Sequence, residues 1–264
     1  MGYRSLAVTI QDGIALVKFN RPDKLNALTL DTYRDIPEVA RDLDKDPRVR
    51  AVVLTGEGRG FCSGGDVDDI IAGLLKMDTA GLLEFTHMTG EATKAILRLG
   101  KPVVAGVNGV AAGAGAVLAS ACDVRVVAES ARFAFLFVKV GLAGADMGAA
   151  YLLPRLVGMG RAIELLHTGD PISARDAERI GLVNRVVPND QVVEASLTFA
   201  KKLAQAPPLA FAITKRALHM ESTMDLDSAM EYEAQIQALC MMTKDFREGY
   251  NAFKEKRPSQ FVGR

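Results

Sequence analysis

Lys101-Pro102-Val103-Val104-Ala105-Gly106-Val107-Asn108-Gly109-Val110-Ala111-Ala112-Gly113-Ala114-Gly115 joins an apolar run of strand length to an Asn-Gly turn and then to a stretch of very small residues. An apolar run with no polar alternation reads as a strand buried on both faces. The small residues that follow, Gly113 to Ala121, read as a helix whose start lies close to neighbouring backbone. The same course occurs one unit earlier. Ala51-Val52-Val53-Leu54-Thr55 is a continuous apolar run, Gly56-Glu57-Gly58-Arg59-Gly60 is a glycine-rich loop, and Val67 to Leu75 turns helical. Two buried strands therefore deliver glycine-rich loops, each leading into a helix.

Working outward, Leu6–Ile10 and Ile14–Phe19 flank Asp12-Gly13 and predict a β-hairpin. Arg21-Pro22-Asp23-Lys24 cannot continue a strand, and Thr29 or Asp31 can cap a helix running toward Asp44, with Pro37 predicting a kink or a late start. Asp123–Ala128 reads as a further strand. Helical periodicity covers Arg161–His167, Ala174–Ile180, Asp190–Ala204, Pro208–Met220 and Leu226–Lys244. Strands alternating with helices predict an α/β core, but the strand-strand-helix order differs from the plain βαβ alternation of a dinucleotide fold.

Composition narrows the function. A chain of 264 residues with 49% hydrophobic and 24% charged residues supports one large core plus an appendage. Lys+Arg 32 against Asp+Glu 32 leaves no basic excess, so no nucleic-acid partner is expected. Cys62, Cys122 and Cys240 are scattered and odd in number, which points to a reducing compartment, and three dispersed His give no metal-ligand spacing. The start, MGYRSLAVTIQDGIALVKF, alternates instead of presenting a charged segment and an apolar block, and no long apolar run follows. The expectation is a cytoplasmic protein with no membrane partner and no metal.

Gly56–Gly60 matches neither G-x-G-x-x-G nor G-x-x-x-x-G-K-[ST], which disfavours a nucleotide loop. Gly60-Phe61-Cys62-Ser63-Gly64-Gly65-Asp66 together with Lys101–Gly115 instead resembles the enoyl-CoA hydratase/isomerase, or crotonase, family, whose pattern is FC-[AS]-G-[AG]-D followed by KP-V-x-A-x-x-NG-x-A-x-G-[GA]-G. Arg21-Pro22 with Asn26-Ala27-Leu28, and Glu248-Gly249, Ala252-Phe253 and Glu255-Lys256-Arg257, are similar to its first and last signatures. The resemblance implies an α/β spiral of repeated ββα units over residues 1–200, with a helical C-terminal region, 201–264, for trimerisation and coenzyme A contact. It implies an acyl-CoA thioester as substrate, coenzyme A entering as part of it with no separate cofactor, and a homotrimer or dimer of trimers. By position, the backbone N–H groups of Gly65 and Ala114 would form an oxyanion hole for a thioester enolate. Coenzyme A contacts would fall on Lys24, Leu25, Ala27, Ser63, Gly64, Asp66, Val67, Phe253 and Lys256. Read from the residues themselves, these glycines permit tight helix-strand packing, Lys24 and Lys256 are surface lysines, and Asp66 is a turn or N-cap residue.

Hydratases of the family carry two glutamates as acid and base; the matching positions here are Val117 and Phe137, which become acyl-pocket residues and cannot transfer a proton. Asp146, in Gly141-Leu142-Ala143-Gly144-Ala145-Asp146-Met147-Gly148, lies on the loop where isomerases and a dehalogenase of the family place a catalytic Asp, although this loop is one residue longer. Two readings stand: a proton shuttle, or a cap for the helix that follows. Phe133, Phe135 and Phe137 alternate at strand spacing and would share one face, as core or as an acyl wall. Cys62 lacks a base partner and is expected to be inert; Tyr151 and Lys139 are within possible reach of the site. Isomerisation by Asp146 is the leading function, against hydration or hydrolysis of a cyclic or aromatic acyl-CoA, or a non-catalytic acyl-CoA binding protein.

Overall fold

The computed structural model describes residues 3–263; Met1 and Gly2 of the alternating start, and Arg264, lie outside the described residues. Asp12 and Gly13, both at positive φ (52° and 79°), turn β1 (Leu6–Gln11) into antiparallel β2 (Ile14–Phe19), as Asp-Gly predicts. Helix α1 (Leu30–Lys45) starts directly after Thr29, whose hydroxyl accepts from Thr32 N at 3.2 Å. The helix neither starts late nor stops at Pro37. Burial of Tyr33, Ile36, Val39 and Leu43 along one face offsets a helix-interior proline cost of about 3 kcal/mol.

Strand β3 (Ala51–Gly56) is buried at every residue. The expected helix from Val67 is instead a π turn (Val67–Ile71) followed by short α2 (Ala72–Leu74), because Asp66 caps the turn and Ile71 N reaches back to Asp66 O. Helix α3 (Thr79–Arg98) has no counterpart in the sequence reading. Its buried positions are Thr89, Ala92, Thr93 and Ile96, so helical spacing is present but half of it is carried by threonine.

The chain continues through β4 (Val103–Val107), β5 (Val110–Ala112), α4 (Ala114–Ala121), β6 (Val124–Ala128), β7 (Arg132–Ala134) and α5 (Ala149–Thr168), the last interrupted at Gly158 by φ 76°. Then come β8 (Ile172–Ser173), α6 (Ala174–Arg179), β9 (Arg185–Val187), α7 (Val192–Leu203), α8 (Pro208–Met220), α9 (Leu226–Met241) and α10 (Lys244–Glu255). The single helix expected over Leu226–Lys244 breaks before Thr243, whose hydroxyl caps α10 by accepting from Phe246 N at 3.1 Å.

One sheet has the order β1-β2-β3-β4-β6-β9, parallel except for the hairpin; a second has the order β5-β7-β8. Bridges Cys62–Ala111 and Leu28–Gly65 extend the second layer. Each turn of the chain therefore lays one strand in the large sheet, one short extended segment in the small layer, and then a helix: β3 with Cys62–Gly65 and the π turn, β4 with β5 and α4, β6 with β7 and α5. This is the α/β spiral of ββα units that the resemblance implies.

Phe133, Phe135 and Phe137 do not lie along one strand. β7 ends at Ala134, and Phe137 belongs to a 3-10 turn (Leu136–Val140), although all three rings are buried. The opposite face of the large sheet is covered by α7, with Val53, Val104, Val126 and Ala200 in one cluster. Helix α8 is tied to the core by a buried ion pair, Lys215 Nζ to Asp123 Oδ2 at 2.9 Å, while Asp123 Oδ2 also accepts from Val103 N at 2.8 Å. No residue of α9 is buried.

Gly115 in α4 packs directly on the loop before it: an added Cβ would overlap the Cys62 carbonyl. Gly115→Ala is expected to destabilise the fold by about 1–3 kcal/mol through overpacking, whereas Gly160→Ala, in open space on α5, should gain about 0.5–1 kcal/mol. Thermal melts of both variants, moving in opposite directions, check this.

Candidate active site

The glycine-rich loop after β3 owes its shape to two amide side chains. Asn26, at φ 58°, donates from Nδ2 to Glu57 O (2.9 Å) and Gly60 O (2.8 Å) and accepts from Arg21 N (2.9 Å). Asn108 Nδ2 donates to Gly56 O (3.0 Å) and Gly58 O (2.8 Å), with Gly60 O at 3.2 Å. The Asn-Gly motif is legible as a turn; that its amide binds the other loop's carbonyls is not, because that partner is distant in sequence.

So held, the loop brings Ser63–Gly65 against the start of α4. Leu28 donates to Gly64 O at 2.8 Å and accepts from Asp66 N at 2.9 Å, so both bridge bonds fall on the residues flanking Gly65, and the Gly65 N–H turns the other way. Gly113 donates to Ala134 O at 2.8 Å and offers no side-chain cap, leaving Ala114 N–H as an open donor at the first position of α4. Neither N–H has an acceptor among the described residues. Gly64, at φ 99°, makes the approach possible: a Cβ there would stand 3.1 Å from Ala112 O and 3.8 Å from Ala114 N. Two unsatisfied backbone donors thus lie on adjoining segments, one of them at a helix N-terminus, an arrangement able to bind developing negative charge.

Asp146 is half-buried. Its Oδ1 accepts from Met147 N at 2.9 Å and its carbonyl accepts from Ala149 N at 2.8 Å, but the residue before α5 is Gly148, and no side chain caps that helix. The carboxylate is therefore not the cap of α5. Burial pushes its pKa up, and the Met147 N–H offsets this in part. Tyr33 lies behind it, buried, its ring edge-on to Phe85 and its hydroxyl 4.0 Å from Met147 Sδ. Burial first, then Cys62 and Asp146, raise the Tyr33 pKa. Tyr33 is not among the residues singled out from sequence; it lies on the buried face of α1. Burial pushes the Cys62 thiol up to about 12, consistent with an inert packing residue.

Val117 is 0% exposed in the middle of α4 and Phe137 is 8% exposed in its 3-10 turn, so neither position offers a proton. Lys139 pairs with Asp170 at 2.8 Å, and the Tyr151 ring stacks under Arg155 at 3.7 Å, so both are engaged elsewhere.

The expected coenzyme A residues fall into two groups. Lys24, Leu25 and Ala27 meet Ser63, Gly64, Asp66 and Val67, through Ser63 N to Leu25 O (3.0 Å) and Lys24 Nζ to Asp68 (4.0 Å). Within this group Asp66 turns inward: Oδ1 accepts from Asp68 N and Asp69 N, and Oδ2 accepts from Arg21 Nη1 at 2.9 Å. The Asp69 N–H, then Arg21 and the Asp68 N–H, hold its carboxyl below the usual range. Arg21 also donates to Ala27 O at 2.7 Å, stapling the two segments. Phe253 and Lys256, on and just after α10, form the second group; Phe253 is 87% exposed, and no described contact joins them to the first. Among the described residues there is no cluster of three or more metal-ligating acids, histidines or cysteines, and no helix is long and apolar enough to cross a membrane.

The profile of the enoyl-CoA hydratase/isomerase family matches residues 9–264. A 1,2-epoxyphenylacetyl-CoA isomerase of Escherichia coli (strain K12) is 34% identical over 97% of both chains. A crotonyl-CoA hydratase of Syntrophomonas wolfei is 35% identical over 100% of both. A solved structure from Streptomyces coelicolor A3(2), provisionally called an enoyl-CoA hydratase, superposes with TM-score 0.96 and 53% identity, covering 100% of this chain and 96% of that one.

Because folding raises the Asp146 pKa, its contribution to stability is greatest below the unfolded carboxylate pKa and is lost as pH rises through the folded value. Asp146→Asn removes that charge. The variant is expected to melt higher than the parent at neutral pH, with the difference shrinking as pH falls toward the carboxylate range, in melts recorded across pH.

Proposed function

Because the chain belongs to the enoyl-CoA hydratase/isomerase family and is an acyl-CoA enzyme, we propose that its reaction is a proton transfer within the acyl group, run by Asp146, and not the two-glutamate addition of water. The observation that carries this reading is the exchange of acid positions: apolar, buried Val117 and Phe137 where hydratases of the family carry glutamates, and a half-buried carboxylate, Asp146, on the loop before α5. The similarity to a relative named as an isomerase adds support.

In this mechanism the thioester carbonyl oxygen accepts from Gly65 N–H and Ala114 N–H. The Asp146 carboxylate takes a proton from a carbon of the acyl chain, and the electron pair passes to the thioester oxygen as an enolate held by the two donors. The carboxylic acid then returns the proton at a different carbon, moving the double bond. Desolvation suits Asp146 to this role, because a raised pKa makes it a stronger base. Coenzyme A would enter as part of the substrate and lie along Lys24–Ala27 and Ser63–Val67, the adenine end toward exposed Val67.

Helices beyond residue 200 supply the assembly in this reading. Met242, Phe246 and Phe253 present exposed apolar side chains just after unburied α9 and on the outer face of α10, a surface suited to other copies in a trimer or dimer of trimers. Such packing would bring Phe253 and Lys256 to a neighbouring coenzyme A site.

The test is incubation in D2O with straight-chain, cyclic and aromatic enoyl-CoA thioesters, followed by mass spectrometry. Deuterium incorporation or a moved double bond without addition of water is expected. Asp146→Asn should lower kcat by about 100- to 10,000-fold. Ala114→Pro, which deletes one N–H at a helix position that tolerates proline, should lower kcat by about 100- to 1000-fold while leaving the folded spectrum intact. Water addition that survives Asp146→Asn would overturn the reading.

A further inference from the structure

Beside the Asp146 turn lies a cavity of about 1070 Å³ between α3, the start of α5 and α8. Its wall includes Met147 and Gly148, the residues directly after Asp146, and runs along α3 from Thr86 to Arg98, about 18 Å of helix. The space exceeds what a short acyl chain fills, and its charge is one-sided: Lys94, Arg98, Lys215, Arg216 and His219 line it, and no carboxylate among the described residues does.

Two of these cations are answered from outside the wall. Lys94 pairs with Glu91 at 2.6 Å and Lys215 with Asp123 at 2.9 Å. His219 is held toward its neutral form, first by burial, with Asp123 opposing and Lys215 and Arg155 adding to the effect. Arg98 and Arg216 remain. Arg98 makes no hydrogen bond or ion pair among the described residues, acting on Glu91 only at a distance, and Arg216 rests its Nε on Met220 Sδ at 3.3 Å. Two permanent guanidinium charges, both exposed, thus stand on α3 and α8 at the border of a largely apolar space, without a carboxylate in contact among the described residues.

We propose that this cavity receives the acyl end of the substrate and that Arg98 and Arg216 select thioesters whose acyl group ends in a carboxylate. The inference rests on the acyl-CoA reading of the Asp146 site and names its substrate class. A guanidinium binds a carboxylate through charge-assisted, often bidentate hydrogen bonds. An uncharged chain of equal length gains the same apolar contacts but leaves both cations unpaired.

The experiment compares two acyl-CoA thioesters of equal length, one ending in a carboxylate and the other in its methyl ester, in the full-length protein and in Arg98→Gln/Arg216→Gln. The ratio of kcat/KM, acid over ester, is expected to be about 10 to 100 in the parent, to fall with added salt, and to approach unity in the double variant. Turnover of the ester reports on the Asp146 site separately; where neither thioester turns over, the acyl-CoA chemistry fails, and the same ratio read from calorimetric binding constants still decides the selectivity. A parent ratio at or below unity, or one unchanged in the double variant, overturns the proposal. An unchanged ratio accompanied by a smaller assembly assigns the arginines to contact between copies and overturns it equally.

Discussion

The structure depends on a contact made almost entirely by backbone, where Ser63–Gly65 lies against Ala111–Gly115. Side chains there would prevent it: a Cβ on Gly115 overlaps the Cys62 carbonyl, and one on Gly64 crowds Ala112 O. The contact closes the second layer through the Cys62–Ala111 bridge, seats the start of α4, and leaves the Gly65 and Ala114 N–H groups on adjoining segments without acceptors among the described residues. Unsatisfied backbone donors normally count against stability, so their position must be enforced from outside. Asn26 and Asn108 fix one side by holding the Gly56–Gly60 carbonyls. Arg125 fixes the other, its buried guanidinium donating to Cys122 O at 2.6 Å and Leu182 O at 2.6 Å at the far end of α4. A cation at the helix C-terminus complements the open N–H at its N-terminus.

A second consequence follows for charge. The contact and α1 together enclose Cys62 and Tyr33, and this apolar ground is what Asp146 faces. Among the described residues no cation contacts Asp146, unlike Asp66, which Arg21 and two backbone N–H groups satisfy. The two aspartates are therefore driven in opposite directions, Asp66 toward its ionised form as a staple and Asp146 toward easier protonation.

The sequence made the strands and the loops legible because their signals are local. Continuous apolar runs marked β3 and β4, Asp-Gly marked the hairpin, and the small residues before α4 marked a close approach. Helix α3 stayed hidden because Thr89 and Thr93 occupy half of its buried face, and a threonine in a pattern reads as polar. Pro37 misled for the opposite reason: a strong local breaker signal was overridden by packing of the α1 face. At the site, motif position supplied the expectation for Gly65 and Ala114, but the αL amide of Asn26, the Arg21–Asp66 pair and the Tyr33–Met147 contact join segments far apart in sequence. Periodicity carries no information about such pairs. The alternation of Phe133, Phe135 and Phe137 shows the same limit, since a two-residue period cannot announce that the strand stops at Ala134.

An α4 with no acid is a different helix from one that carries a carboxylate. With Val117, every residue from Ala114 to Ala121 is buried and none is charged; the hydroxyl of Ser120 is satisfied internally by Ala116 O at 2.8 Å. A carboxylate in the middle of such a helix would need a partner at 117 or would be held neutral by desolvation. Apolar α4 instead serves packing and the presentation of its N-terminus. The carboxylate sits on a loop whose Leu142, Ala143 and Ala145 are exposed, so its desolvation is partial in the open chain. A bound acyl group covering that loop would remove further water and raise the basicity of Asp146 when the substrate arrives. In the proposed reaction, a base on the loop and donors on the fixed backbone contact would separate the group that occupancy tunes from the groups the fold holds constant.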